Sequence, residues 1–290
     1  MKLNGRRESG NVEDRRGQGA SMGKLGGMGI GGIVVAALLT WAMGGNPLDV
    51  IMNAGQTMGE VTEQPGQHEF TAEEQELAQF SKQILAGTED VWTEIFAQNG
   101  LKYECPKMVL YTGGTQTGCG YGQAAMGPFY CSGDQTVYID LSFFTQMKKQ
   151  IGAGGDFSYA YVIAHEVGHH VQYLLGTLGK AHDQMNRVSK TEANQISVRL
   201  ELQADYYAGV WAYHDNKQFQ SLEPGDIEEA LDCAQKIGDN YLQKKNQGYE
   251  IPDSFTHGTS EQRERWLKRG VTTGDVAYGN KTFELDYNSL

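Results

Sequence analysis

A chain of 290 residues, 39% hydrophobic and 10% aromatic with 6 prolines, is long enough to bury a real core and is neither fibrous nor disordered. Its net charge of −12 disfavours nucleic-acid partners, because a phosphate polyanion is repelled unless a strong basic patch intervenes. The 38 glycines exceed the usual ~7% share but follow no Gly-X-Y period, which excludes collagen.

Charge and glycine are both unevenly spread. Residues 1–24 carry Lys2, Arg6, Arg7, Arg15, Arg16 and Lys24 against Glu8, Glu13 and Asp14, so this leader is basic in an acidic chain. No charge follows until Asp49, and residues 25–45, LGGMGIGGIVVAALLTWAMGG, match the ~20 residues that span a bilayer. We expect a transmembrane helix there, a cleaved signal peptide being the alternative. Basic residues before the span and acidic ones after it predict a cytoplasmic leader and an exported C-terminal part. Gly27 and Gly31 form a GxxxG through which two such helices could pair.

Residues 46–70, with Pro47 and Pro65 and no period, read as a linker. Thr71 then caps a helix expected over 72–98, with a break near Gly87, and residues 71–290 make one domain. KMVLYT (107–112) and QTVYIDL (135–141) are β-prone runs on either side of a Gly-rich loop, GCGYGQAAMGPFYC. From Ser142 onward the pattern is helical, in five segments beginning near 143, 158, 190, 226 and 260. The expected fold class is α+β, a small sheet followed by a mainly helical half. All four cysteines lie after the apolar span, as suits two disulfides in an oxidising compartment: Cys119 with Cys131 is the easiest pair, leaving Cys105 with Cys233, although three connectivities are open.

The chemistry concentrates in His165-Glu166-Val167-Gly168-His169, an HExxH within an apolar helix. Residues four apart share a helix face, so both imidazoles can reach one zinc ion while Glu166 stands beside its open position as a base. Zinc lowers the pKa of water towards ~7 and polarises the carbonyl under attack. The metzincin extension is excluded, since Gln172 and Leu175 stand where its glycine and third histidine belong. Glu201 and Asp205, an ExxxD on the next helix, lie among Leu200, Leu202, Ala204 and Ala208, where carboxylates are costly unless paired. Glu201 is the candidate third ligand, and Asp205 can hold the outer N–H of a ligating imidazole. A competing set uses Cys119-Gly120 as third ligand, as in peptide deformylases, and leaves Glu201 structural. In SFTHGTSEQRERW, His257 and Arg263 are candidates to stabilise an oxyanion, the alternative being a helix cap with surface charge. Adjacent to His169, His170 points about 100° away on the helix and is expected to pack rather than ligate.

Taken in order, RRESGNVEDRRG, the span ending GGNPL, GPFYC with DQTVYIDLSFF, AHEVGHHVQ, ELQADYYAGVWA and FTHGTSEQRERW resemble the neutral zinc metallopeptidase family, the YpfJ-like bacterial proteins. This resemblance implies a zincin-like metallopeptidase domain with a gluzincin-like site, His165, His169 and Glu201 on zinc and Glu166 as base. It also implies a bacterial inner-membrane location with the domain periplasmic or extracellular, and peptide or unfolded protein as substrate. HGTSEQR is similar to the HPxxxxR segment of gluzincins related to the CAAX-processing protease, with Gly258 in place of Pro, which supports His257 and Arg263 as transition-state helpers. Similar peptidases take substrate as an added strand along the sheet edge, for which QTVYIDL is the candidate. The expected function is thus a membrane-anchored zinc-dependent peptidase. Its rival from another class is a zinc-stabilised envelope protein that binds clients with little turnover.

Overall fold

A computed structural model describes residues 1–17 and 69–290. The expected span over 25–45, its GxxxG and all of the expected linker except its last two residues lie outside the described residues. Among the described residues no helix is long and apolar enough to cross a membrane.

Thr71 caps α1 (Ala72–Gln98) through a capping box: its hydroxyl accepts from the Glu74 N–H, and the Glu74 carboxylate accepts from the Thr71 N–H. The helix runs unbroken through Gly87, where a side chain would meet Arg6 at 2.9 Å and Asp215 at 3.0 Å. β2 (Lys107–Tyr111) and β6 (Thr136–Asp140) form where the β-prone runs predicted them. Between them the Gly-rich loop folds into a hairpin, β3 (Gly114–Thr117) with β4 (Gly120–Gln123), and a further strand β5 (Phe129–Cys131).

The main sheet has the order β1-β2-β6-β5. Its first member, β1 (Val12–Asp14), comes from the leader and pairs parallel to β2, Val12 opposite Met108 and Asp14 opposite Leu110. Residues 1–17 therefore depart from the expected separate leader. The reason is electrostatic as well as strand pairing: Arg6 reaches Asp215 at 2.7 Å, Arg7 reaches Asp90 at 2.6 Å, and Arg16 donates to the Glu74 carbonyl at 2.7 Å. The leader's arginines thus fasten it to the domain. Residues 12–14 of the leader and residues 107–111 of the domain belong to one sheet.

Two further expectations are corrected. β6 is not an edge: all five residues are buried, with β2 parallel on one side and β5 antiparallel on the other. The Cys119–Cys131 disulfide is present, but Cys105 is free at the surface and Cys233 is free and buried, its thiol directed at Met147.

The helical half comprises α2 (Ser142–Ile151), α3 (Asp156–Leu174), α4 (Thr177–Met185), α5 (Lys190–Phe219), α6 (Asp226–Lys236), α7 (Asp239–Gln247), α8 (Ser260–Thr273) and α9 (Lys281–Glu284). One long helix predicted from 226 is thus two, parted at Gly238, and α4 was not predicted. α5 runs through the centre, with α3 and α8 against it, and Trp92, Trp211 and Trp266 are fully buried in the surrounding core. Burial on this scale, roughly 1.5–3 kcal/mol for each large apolar side chain, is what holds α3 and α5 in the register that builds the site.

Candidate metal centre

α3 carries His165, Glu166 and His169, and the four-residue step brings both imidazoles to one face with ring centroids 4.8 Å apart. α5 supplies Glu201 from the facing helix. Glycine at position 168 makes the approach close, since a side chain there would lie 2.9 Å from the Ala204 carbonyl oxygen and 3.1 Å from its Cα. Consequently Glu201 Oε2 stands 3.2 Å from His165 Nε2 and Glu201 Oε1 stands 3.4 Å from His169 Nε2. Tetrahedral ligands at about 2.0–2.1 Å from zinc lie about 3.3 Å from each other. Both His–Glu separations are close to this, and one donor atom from each of the three residues lies within 4.8 Å of the others, with the N/O chemistry of a zinc site. Among the described residues this trio is one of two clusters able to hold a metal.

Behind the trio, Asp205 is fully buried. Its Oδ1 accepts from His165 Nδ1 at 2.8 Å and from the Tyr161 hydroxyl at 2.6 Å. Arg263 closes the set with Nε to Oδ2 and Nη2 to Oδ1, both 2.9 Å. Burial alone would raise the Asp205 pKa, but Arg263 and then His165 outweigh it and hold it at about 2. Burial likewise opposes charge on His165, yet Asp205 and then Glu201 push its pKa up to about 10. Glu166 is 8% exposed, and burial raises its pKa above the ordinary carboxylate value, as suits a group that must accept and return a proton.

The remaining predicted residues divide. His257 sits half-exposed, its Nδ1 3.2 Å from Asp239 Oδ1, and Asp239 Oδ2 also accepts the N–H groups of Thr256, His257 and Gly258. Its charge is felt at Glu201. Gly258 takes φ +97°, a conformation closed to proline, so the turn is built differently from one with Pro at this place. Arg263 is not directed at the open side of the trio: it is 3% exposed and pairs inward with Asp205. Cys119 is bound to Cys131, which withdraws the thiolate that the deformylase-like ligand set requires. His170 lies away from the trio, donating to the Glu104 carbonyl and accepting from Tyr130 of β5. Two contacts were not anticipated, Tyr161 on Asp205 and Gln172 on His169 Nδ1 at 2.9 Å. Tyr161 and Gln172 stand one turn before His165 and three residues after His169, so helical spacing was the available signal.

The family model described as "putative neutral zinc metallopeptidase" matches residues 1–283. The chain belongs to this family. Membership makes zinc the cofactor. The chain is 50% identical over 285 residues to the uncharacterized protein YpfJ of Escherichia coli (strain K12), covering 97% of this chain and 98% of that one. It is also 44% identical over 183 residues to the uncharacterized protein Rv2575 of Mycobacterium tuberculosis, covering 60% of this chain and 61% of that one. No solved structure matches.

Proposed function

We propose that the protein hydrolyses peptide bonds with His165, His169 and Glu201 as zinc ligands and Glu166 as general base. The observation that carries this reading is the trio itself, three donors within 4.8 Å of one another with a buried carboxyl next to them on α3. When bound, zinc supplies a Lewis acid and a water of lowered pKa at its open position. Glu166 takes the proton from the attacking water and passes it to the leaving amine. Asp205 holds His165 with Nε2 free towards the metal, and Arg263 and Tyr161 hold Asp205, so Arg263 acts by positioning. His257, hydrogen-bonded to Asp239 and felt electrostatically at Glu201, is in this reading the donor to a developing oxyanion. The substrate strand adds to β5, whose outer edge has no strand beyond it in the described sheet and which is tied to α3 through Tyr130 and His170.

Replacing Glu166→Gln is expected to keep one zinc per chain and to lower hydrolysis of an unfolded protein by about 10²–10⁴-fold. Cleavage at the wild-type rate removes Glu166 from the role. Wild type that holds zinc but cleaves no member of a peptide library turns the reading to the zinc-stabilised binding protein.

For location we propose a bacterial envelope protein in which residues 1–17 and 69–290 share one compartment, whatever course the residues between them take. The β1–β2 pairing and the Cys119–Cys131 disulfide, which persists in oxidising surroundings, support this. With Cys105 replaced by Ser, single cysteines at the exposed Asn4 and Gln247 should react equally with a membrane-impermeant maleimide on intact cells. Reaction of one and protection of the other overturns the shared compartment.

A further inference from the structure

His165 is oriented by a carboxylate, but His169 has a neutral partner, and the wiring behind it determines which way every amide must face. Gln172 is fully buried, and its Nε2 donates to the Leu200 carbonyl at 2.7 Å and to Gln203 Oε1 at 3.1 Å. Gln203, also fully buried, donates from its own Nε2 to the Gly279 carbonyl at 3.0 Å. Leu200 and Gly279 offer backbone carbonyl oxygens, which only accept. Reversing Gln203 would set its oxygen against the Gly279 oxygen, and reversing Gln172 would set its oxygen against that of Leu200. Both amides are therefore locked, and Gln172 Oε1 has one direction left, towards His169 Nδ1 at 2.9 Å. An oxygen there demands a proton on Nδ1, which leaves Nε2 as the lone-pair donor facing Glu201 and the metal.

We infer that Gln172 is the positioning residue for the second zinc imidazole, with Gln203 as its anchor, so that the C-terminal turn at Gly279 helps set the tautomer of His169. This rests on the proposed zinc site and extends it. Both glutamines are fully buried, and burial makes each unmade hydrogen bond of the relay costly. The consequence is a site whose two imidazoles are held by different chemistry: a charged group that raises ligand basicity on His165, and an amide that fixes orientation without adding charge on His169.

The test is zinc affinity by chelator competition together with NMR of protein labelled with ¹⁵N-histidine and loaded with zinc. In wild type, His169 should carry a proton on Nδ1 that is protected from exchange. Gln172→Met, close in volume, should lose that protection and weaken zinc by about 10–100-fold, and Gln203→Met should weaken it by a smaller factor. Unprotected Nδ1–H in wild type, or unchanged affinity in folded Gln172→Met, overturns the inference. If Gln172→Met does not fold, the wild-type spectrum and Gln203→Met decide. His169→Ala separates the two levels: if it binds zinc as wild type does, the zinc site itself is wrongly assigned, whereas loss of zinc there with normal affinity in Gln172→Met defeats only the positioning role.

Discussion

Two groups of ion pairs use the same chemistry in opposite surroundings. Around the leader the ion pairs are graded: Arg15 with Glu13 lies within the leader itself and in the open, Arg7 reaches Asp90 part-exposed, and Arg6 reaches Asp215 largely buried between α1 and α5. Behind the metal trio, Arg263 and Asp205 are both buried, with Tyr161 and His165 completing the hydrogen bonds. Exposed pairs gain little, because water screens them and side chains must be ordered. A buried pair is different: neither partner can be left alone. The difference teaches that Asp205 and Arg263 are a unit whose output is the orientation of His165, whereas the pairs from Arg6 and Arg7 serve attachment.

Breaking the buried unit should have the largest effect. Arg263→Met leaves Asp205 charged in the interior and is expected to cost about 3–5 kcal/mol in urea unfolding, with hydrolysis falling as His165 loses its fixed orientation. A loss under about 1 kcal/mol would mean that water reaches Asp205 and that the two groups of pairs are not distinct.

Acid sharpens the same contrast. The pKa of Asp205 is held at about 2, below the ordinary 3.8, so its contribution to stability is present above about pH 4 and is lost as pH falls towards 2. In chelated protein, the stability gap between wild type and Asp205→Asn should narrow by about 2 kcal/mol over that window. A gap that does not change with pH between 4 and 2 would show that Arg263 does not depress this group.

At the leader the steps are smaller and graded by exposure. Arg6→Ala strips a partner from Asp215, which is 1% exposed, and should cost about 1–3 kcal/mol. Glu13→Ala, at a side chain 61% exposed, should cost less than about 1 kcal/mol. Equal losses at both positions would erase the gradient.

Much of the site was legible because it is written in local spacing. HExxH and ExxxD each place their residues one helical turn apart, and the capping box at Thr71 needs three residues of separation. Arg263 was legible as a candidate but not in direction, since only the crossing of α8 on α5 turns it towards Asp205. The hairpin was hidden by its glycines, which lower strand propensity until a partner strand defines it, and β5 by its length of three residues. The single leader strand was hidden by its length: Val12–Asp14 has no alternation to read and is a strand only because β2 lies open beside it.

By itself, the sequence determined the family, with zinc as its cofactor, and the α+β class, because motifs in a fixed order and local periodicity require no knowledge of what packs where. The tertiary structure alone decided that the leader joins the sheet, that β6 is interior with β1 and β5 at the edges, that Cys105 and Cys233 stay apart, and that Arg263 and Gln172 contact Asp205 and His169. Those outcomes depend on contacts between residues tens to hundreds of positions apart, and such contacts follow from which buried surfaces and charges find partners, not from any interval along the chain.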